Sequence, residues 1–253
     1  VREILGMMLD QNLQMEWKAH AVPVFNIDED IVDLMKASGC RSVALAIESG
    51  SERVLKDIIR KPVKLDQVRR ICKKIRETGM DLVANFIIGF PTETWSEIRQ
   101  TFAFAEELQI NYSKFFIATP LEGTILHDMV MENNLLAAHA DTSGQMKDLN
   151  WSTSKILSDE WTVDDLTILR AYEWERINFS TPEKRARVAT MMGISVEELD
   201  QLRKNTFASA IDNILANKAK NIAPEHHGDH RSIGAESYPG IKVDRGEPVS
   251  FGF

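Results

Sequence analysis

Residues 42–49, SVALAIES, and residues 81–90, DLVANFIIGF, decide the fold class of this chain. Each is an almost uninterrupted apolar run, which is typical of a β-strand covered on both faces in a parallel sheet. Around them, apolar residues recur at the spacing of one helix face. The pattern predicts the order α-β-α-β-α-α-β-α-β-α over about the first 135 residues. Such alternation predicts an α/β fold with right-handed crossovers, either an open doubly wound sheet or part of a barrel.

The composition is that of an ordinary globular protein. The chain has 253 residues, of which 43% are hydrophobic, and a formal net charge of −8. No basic tract predicts nucleic-acid binding, and no apolar run has the length of a membrane span. The two cysteines, Cys40 and Cys72, are too few for a disulfide framework or a cluster-binding triad. These features predict a cytoplasmic protein that contacts neither membrane nor nucleic acid.

The chain divides into four predicted segments. Residues 1–136 form the alternating α/β part, residues 137–160 a polar linker, residues 161–222 a small helical appendage and residues 223–253 a glycine- and proline-rich flexible tail. Because Val1 opens directly into an amphipathic run without an initiator Met, we expect a further segment upstream.

The predicted strands end in residues that suit ligand binding, and in this fold class binding groups gather at the carboxyl ends of strands. Glu48 closes an apolar strand and requires a partner or a cleft, although it could also cap the next helix. Asn85 interrupts the next apolar strand, which ends in a turn at Gly89. Taken alone, each feature is also compatible with simple turn or cap chemistry.

Four stretches together resemble the radical S-adenosylmethionine superfamily, in particular its group with cobalamin-binding, methylthiotransferase and coproporphyrinogen-oxidase-like members. They are EWKAHA (16–21), LMKASGCRSVALAIESGSERVLKDIIRK (34–61), NFIIGFPTETWSEIRQTFAFAEEL (85–108) and FFIATPLEGTIL (115–126). The resemblance covers roughly residues 14–136. It implies the C-terminal part of a partial (β/α)6 TIM-like barrel, followed by the small helical appendage.

The resemblance also implies a set of residues that bind S-adenosylmethionine. Glu48 matches the position that binds the amino group or ribose of the cofactor, with Ser49 and Gly50 beside it. Arg60 matches an arginine that pairs with the cofactor carboxylate, for which a guanidinium has suitable geometry. Asn85 matches the residue that bonds the ribose hydroxyls.

Three further positions complete the implied cofactor site. Gly89 and the backbone near Thr119 would flank the adenine, and His20 matches a polar contact found in some relatives. No residue of this chain is predicted as a catalytic acid or base.

The chain departs from the family at the iron–sulfur cluster. The family holds its 4Fe–4S cluster with a Cys-x3-Cys-x2-Cys motif, which does not occur here. Cys72 is expected in the core and Cys40 in helix-end packing. The cluster ligands are therefore expected upstream, and a cobalamin domain, if one exists, further upstream still.

The resulting functional hypothesis is a fragment of a radical enzyme. With an upstream cluster it would generate a 5′-deoxyadenosyl radical for methylation, methylthiolation or rearrangement of an unknown substrate, using a reductant such as ferredoxin or flavodoxin. One alternative is a non-catalytic barrel fragment or pseudoenzyme that acts as a binding module. Another is an unrelated α/β enzyme, although no P-loop or GxGxxG is present.

The appendage carries two further patterns. Residues 187–205 resemble a helix-turn-helix, but the acidic start of the second helix favours a packing hairpin over DNA binding. Trp151, Trp161 and Trp174 are expected to pack the appendage onto the barrel. In the tail, His226, His227, Asp229 and His230 form a possible but weak metal-binding group.

Overall fold

The computed structural model of the chain describes residues 1–137 and 153–220. The helices and strands are, in chain order, α1 Arg2–Asp10, β1 Trp17–Pro23, α2 Glu29–Ala37, β2 Cys40–Glu48, α3 Leu65–Glu77, β3 Asp81–Ile88, α4 Trp95–Glu107, β4 Tyr112–Ile117, α5 Ile125–Glu132, α6 Val163–Phe179, α7 Pro182–Met192 and α8 Val196–Lys220. A 3-10 turn at Val24–Asn26 follows β1, and a π-helical segment at Val54–Ile58 follows β2.

The four strands form one parallel sheet in the order β1-β2-β3-β4. Each strand therefore pairs with the strand next to it in the chain, as in a continuous part of a (β/α) barrel. Ala46 on β2, Asn85 on β3 and Lys114 on β4 lie side by side in register. This arrangement confirms the predicted α/β fold with a parallel sheet.

Local sequence signals account for most element boundaries. The Asp28 carboxylate accepts a hydrogen bond from the Ile31 N–H at 3.0 Å and caps α2, as its position predicts. Thr162 and Thr181 cap α6 and α7 in the same way. Between Ser195 and Glu198 a capping box opens α8, because each side chain accepts from the backbone N–H of the other.

One helix differs from the expected α-helix. The stretch that follows Ser51 forms the wider π-helical turn, in which the Ile59 N–H bonds to the Val54 carbonyl at 2.9 Å. Arg60 then adopts a left-handed backbone conformation with φ of 57°. The chain consequently turns back, so that Lys61 reaches the end of β2.

The main core lies between the sheet and helices α2, α3 and α4. Phe115 on β4 stacks on Phe86 of β3, with ring centroids 5.3 Å apart, and contacts Phe102 of α4 at 4.9 Å. Cys72 on α3 is fully buried in this core, as expected, whereas Cys40 is the first residue of β2 and not part of a helix end. A second, smaller apolar cluster lies past the carboxyl ends of the strands and comprises Val54, Phe90, Ala118, Val130 and Ile156.

Helix α6 covers the outer edge of β4. The Asn178 side-chain oxygen accepts from the Ser113 N–H at 2.8 Å, and its amide nitrogen donates to the Ser113 carbonyl at 2.9 Å. Arg170 donates to the Phe115 carbonyl at 3.4 Å. The side-chain amide of Asn178 thus occupies the place that the backbone of a further strand would take.

Two of the three expected tryptophan contacts are confirmed. The ring of Trp161 meets Trp95 of α4 edge to face at 5.9 Å. Trp174 of α6 donates to the Tyr112 hydroxyl at 3.1 Å. Trp151 lies outside the described residues, as does the histidine group at positions 226–230.

The C-terminal boundaries of the predicted segments stay predictions. Within the predicted linker, Ile156 is fully buried and forms an antiparallel bridge with Leu136. Helices α7 and α8 meet at Gly193, which ends α7 in the left-handed conformation with φ of 71°. In the described ranges, no helix is long and apolar enough to cross a bilayer.

Candidate functional site

The carboxyl ends of β2, β3 and β4 bring several predicted site residues to one edge of the sheet. Glu48 is the last residue of β2, Gly89 follows β3 directly, and Thr119 comes two residues after β4. Asn85 lies within β3, three residues before its end. The strand pairing therefore confirms that these residues lie on neighbouring strands.

Glu48 already has a cationic partner in the chain. Its side chain is 8% exposed, its backbone φ is 76°, and one carboxylate oxygen pairs with the Lys61 ammonium. A nearly buried carboxylate requires such a partner. The Lys61 ammonium thus occupies one oxygen of the carboxylate to which the resemblance assigns the amino group or ribose of S-adenosylmethionine, and the second oxygen can accept a further donor.

Arg60 and His20 lie at the periphery of this edge. Arg60 is exposed, and it makes no hydrogen bond or ion pair with the described residues. It directly precedes Lys61, and the contact with a cofactor carboxylate that the resemblance implies for Arg60 stays a prediction. His20 is exposed on β1, beside a bulge at Ala21, where φ is 51°.

Ser49 and Gly50 contact helix α4. The Ser49 hydroxyl lies 3.1 Å from the Thr101 hydroxyl, and the Gly50 N–H donates to that hydroxyl oxygen at 3.0 Å. A Cβ at Gly50 would lie 2.7 Å from the Gln100 carbonyl oxygen and 2.8 Å from the Thr101 Cα. The glycine is therefore explained by the close approach of α4, whereas a ligand contact there stays a prediction.

Asn85 carries an unpartnered acceptor. Its side-chain oxygen is buried and has no hydrogen-bond partner in the part of the chain that the structure describes. A buried carbonyl oxygen without a donor costs free energy, and such groups in native proteins call for an explanation. A ligand hydroxyl is one donor that would satisfy it, which agrees with the ribose contact that the resemblance implies.

The turn after β3 is organised by Glu93. One carboxylate oxygen accepts from the Gly89 N–H at 2.6 Å and from the Phe90 N–H at 3.0 Å. The other oxygen is buried and has no partner among the described residues. Burial raises the pKa of the Glu93 carboxyl to about 8, despite the two N–H groups that favour its ionised form.

This buried carboxyl predicts a stability that falls with rising pH. The folded protein holds the Glu93 proton more tightly than the unfolded chain, so the contribution is complete below about pH 4.5 and is lost as the pH rises towards about 8. Between about pH 5.5 and about pH 8.5 we expect a loss of about 1–3 kcal/mol in unfolding free energy. In Glu93→Gln the unfolding free energy should fall less between these two pH values. Urea unfolding at both pH values measures this loss of unfolding free energy. An equal loss in the wild type and in Glu93→Gln would contradict the prediction.

Glu97 joins the two loops of the site. It accepts from Arg53 through Nε and Nη2, each at 2.6 Å, from the Ser51 hydroxyl at 3.2 Å, and from the Thr94 N–H and hydroxyl at 2.9 and 3.0 Å. The Arg53 guanidinium holds the pKa of the Glu97 carboxyl at about 2. Arg53 also donates to the Thr92 carbonyl at 2.7 Å. The loop after β2 and the turn after β3 are therefore held to each other.

Gly89 and Thr119 lie where the ends of β3 and β4 are still paired. The Ala118 N–H bonds to the Ile88 carbonyl at 2.8 Å, which extends the pairing past β4. Gly89 has φ of 82°, and a Cβ there would lie 2.5 Å from the Leu166 side chain of α6. Thr119 is nearly buried, and its hydroxyl donates to the Ile117 carbonyl at 3.3 Å.

The cysteines do not suit an iron–sulfur cluster. Cys40 and Cys72 are both buried, on β2 and α3, and burial raises the pKa of the Cys72 thiol to about 12. Cluster ligands are thiolates, which such burial disfavours. Over residues 1–137 and 153–220, no three His, Cys, Asp or Glu side chains group as a metal site.

Four residues that shape the site were not identified from the sequence. These are Arg53, Lys61, Glu93 and Glu97. The Thr94-x-x-Glu97 spacing is a capping-box signal, and the structure shows that box at the start of α4. The contacts of Arg53 and Lys61 depend on the π-helical turn after β2. The contact of Glu93 depends on its side chain turning back to the backbone N–H groups of Gly89 and Phe90. No sequence pattern indicates either feature.

Comparison with known proteins gives a family match in the region that carries this edge. The model of the radical SAM superfamily matches residues 20–105. An uncharacterized methyltransferase of Pyrococcus horikoshii is 39% identical over 127 residues, which are 50% of this chain and 27% of that protein. The cytidylyl-2-hydroxyethylphosphonate methyltransferase of Streptomyces wedmorensis is 38% identical, over 41% of this chain and 20% of that protein.

A third relative is named for a methylthio-modified tRNA nucleoside. The tRNA-2-methylthio-N(6)-dimethylallyladenosine synthase of Thermus thermophilus is 33% identical, over 39% of this chain and 22% of that protein. The chain thus spans between 20% and 27% of the length of these three relatives.

Among solved structures, the radical S-adenosylmethionine methyltransferase TsrM of Kitasatospora setae, with cobalamin and a [4Fe-4S] cluster bound, is 19% identical. The superposition has a TM-score of 0.46 and covers 52% of this chain and 27% of that one. Coproporphyrinogen III oxidase of Escherichia coli is 20% identical, with a TM-score of 0.42, over 47% of this chain and 29% of that one.

Proposed function

We propose that this chain, whose residues 20–105 match the model of the radical SAM superfamily, binds S-adenosylmethionine at the carboxyl edge of its sheet. It would do so as part of an enzyme that transfers a methyl or methylthio group. Two relatives named as methyltransferases and one named as a tRNA-2-methylthio-N(6)-dimethylallyladenosine synthase support this reaction class. The observation that carries the proposal is the buried, unpartnered oxygen of Asn85 beside the strand ends.

The residues of this edge suit the parts of the cofactor. Asn85 would accept a hydrogen bond from a ribose hydroxyl. Glu48 would accept from the amino group through the oxygen that Lys61 does not occupy, and Arg60 would approach the carboxylate. When bound, S-adenosylmethionine supplies a sulfonium whose carbon–sulfur bonds can be cleaved, while the protein binds and orients it.

Glu97 and Glu93 would act as positioning residues. Through its bonds to Arg53 and Thr94, Glu97 fixes the loop that follows Glu48 relative to the turn that carries Gly89. Glu93 fixes the backbone of that turn from within. Neither carboxylate is placed in contact with the cofactor.

The iron–sulfur cluster does not fit the cysteines of this chain. Both thiols are buried on separate elements, so neither takes part in the proposed chemistry. We further propose, for the whole enzyme, that residues outside this chain hold the cluster and that a protein reductant supplies its electrons. A role for cobalamin belongs to the same proposal. Because neither cysteine suits cluster ligation, the described residues are also compatible with a second candidate function, a binding module without chemistry of its own.

Titration with S-adenosylmethionine tests the proposed site. Asn85→Leu keeps the side-chain volume and removes the acceptor, so we expect the dissociation constant to rise at least about tenfold. Asn85→Asp retains an acceptor and should weaken binding less. Asn133→Ala, which removes an exposed amide at the end of α5, is the matched control. Calorimetry measures all four proteins, and wild-type affinity in Asn85→Leu would contradict the proposal.

A further inference from the structure

The sheet has one face covered by helices and one that is less covered. The covered face holds Phe86 and Phe115, which pack against α4. We call the other side the open face. Because side chains alternate along a strand, it carries side chains that are only partly buried, namely Ala46, Asn85, Ile87, Lys114 and Phe116. Ile87 packs against the second apolar cluster, so this cluster borders the open face near the carboxyl ends of the strands.

Among these residues of the open face, Lys114 carries the positive charge. Over the described ranges its ammonium makes no hydrogen bond and no ion pair. A lysine that is partly withdrawn from water normally pairs with a carboxylate or extends its ammonium into solvent. Its neighbours on the open face are uncharged. Phe116 follows it on β4, and Ala46 lies in register two strands away, on β2.

The carboxylates of the neighbouring strands do not serve Lys114. Asp81 is the first residue of β3, four residues before Asn85, which is about 13 Å along the strand. Glu48, at the end of β2, is taken by Lys61. Along the described strands β2, β3 and β4, Lys114 therefore has no carboxylate beside it that balances its charge.

A second cation, on α6 beside β4, adds to this imbalance. Arg170 of α6 is 6% exposed and donates to the carbonyl of Phe115, the residue after Lys114. It pairs with no acid of the described chain, and its Nε is buried without a partner. Charges in such a weakly polar environment act over longer distances than in water. Both cations thus raise the electrostatic potential around the middle of β4.

We propose that Lys114 binds an anionic group of the substrate, a carboxylate or a phosphate-type oxyanion, on the open face. Lys114 lies next to Asn85 in register, about 4.8 Å away between strand axes. An anion on Lys114 would therefore lie beside the cofactor that Asn85 is proposed to hold. The assignment of this anion to a substrate rests on the proposed function, whereas the binding of the anion does not.

Nuclear magnetic resonance of the 15N-labelled chain tests this site with methylphosphonate and with acetate as probes, at constant ionic strength. We expect saturable shifts of the backbone amides at positions 114–116 and of the Asn85 side chain, with a midpoint on the order of millimolar. Lys114→Met should weaken binding at least about tenfold, while Lys114→Arg should retain most of it. Lys73→Met, on the outer side of α3 and 71% exposed before substitution, is the matched control.

The outcomes separate this inference from the proposed function. Shifts that persist in Lys114→Met, or that map to other lysines, overturn the anion site. Anion binding at Lys114 together with absent S-adenosylmethionine binding leaves the site standing and contradicts the proposed function. Competition between methylphosphonate and S-adenosylmethionine would assign Lys114 to the cofactor carboxylate and overturn the substrate assignment. The relative affinities of the two probes distinguish a phosphate-type anion from a carboxylate.

Discussion

Asn178→Ala should lower the free energy of unfolding by about 3–5 kcal/mol, one of the largest effects we expect from a single substitution. The substitution leaves the N–H and the carbonyl of Ser113 without partners, and Ser113 is fully buried. Each unsatisfied buried group costs about 1–3 kcal/mol, and the shortened side chain adds a cavity.

Urea denaturation followed by circular dichroism measures this effect. Asn205→Ala is the matched control, because Asn205 is an exposed amide on α8 whose side-chain oxygen accepts from Gln201 at 2.9 Å. It should change stability by no more than about 0.5 kcal/mol. If both variants unfold at the same urea concentration, α6 does not secure the edge of β4 as described.

Glu97→Ala should lower the unfolding free energy by about 2–4 kcal/mol. Five hydrogen bonds to a nearly buried carboxylate are lost, and the Ser51 hydroxyl and the Thr94 N–H lose their acceptor. Arg53 is 42% exposed and can be rehydrated, which keeps the effect below that of a fully buried pair.

The pH dependence of the same site provides an independent check. Because the pKa of Glu97 is lowered to about 2 in the folded protein, its contribution is present above about pH 4.5 and is lost as the pH falls towards about 2. Glu97→Gln should unfold with a smaller loss in this acidic range than the wild type. Glu77→Ala, at an exposed position on α3, is the control and should retain the wild-type acid transition. A wild-type acid transition in Glu97→Gln as well would contradict the role of the Glu97 carboxylate.

Much of the fold follows from the sequence because its signals are local. The apolar runs of β2 and β3 identify buried strands wherever they are placed, and the caps Asp28 and Thr162 fix helix starts within one turn of chain. The convergence of Glu48 and Asn85 follows from parallel pairing alone. These predictions required no knowledge of contacts between distant residues.

The contacts that complete the site are not local, and the sequence did not reveal them. The resemblance sets Gly50 beside the cofactor, whereas the structure places the backbone of α4 against it. Lys61 reaches Glu48 only because a π-helical turn replaces the expected α-helix. Lys114 drew no functional prediction, since a single polar residue in a strand gives no indication of which face is left uncovered.

The order of the strands in space bears on how the chain acquires its structure. Each strand pairs with the one made just before it, so every new βα unit meets a partner already present as synthesis proceeds. Contacts between sequence neighbours close short loops, which favours rapid folding. The sheet can thus assemble in the direction of translation, unit by unit, with α6 arriving last to cover β4.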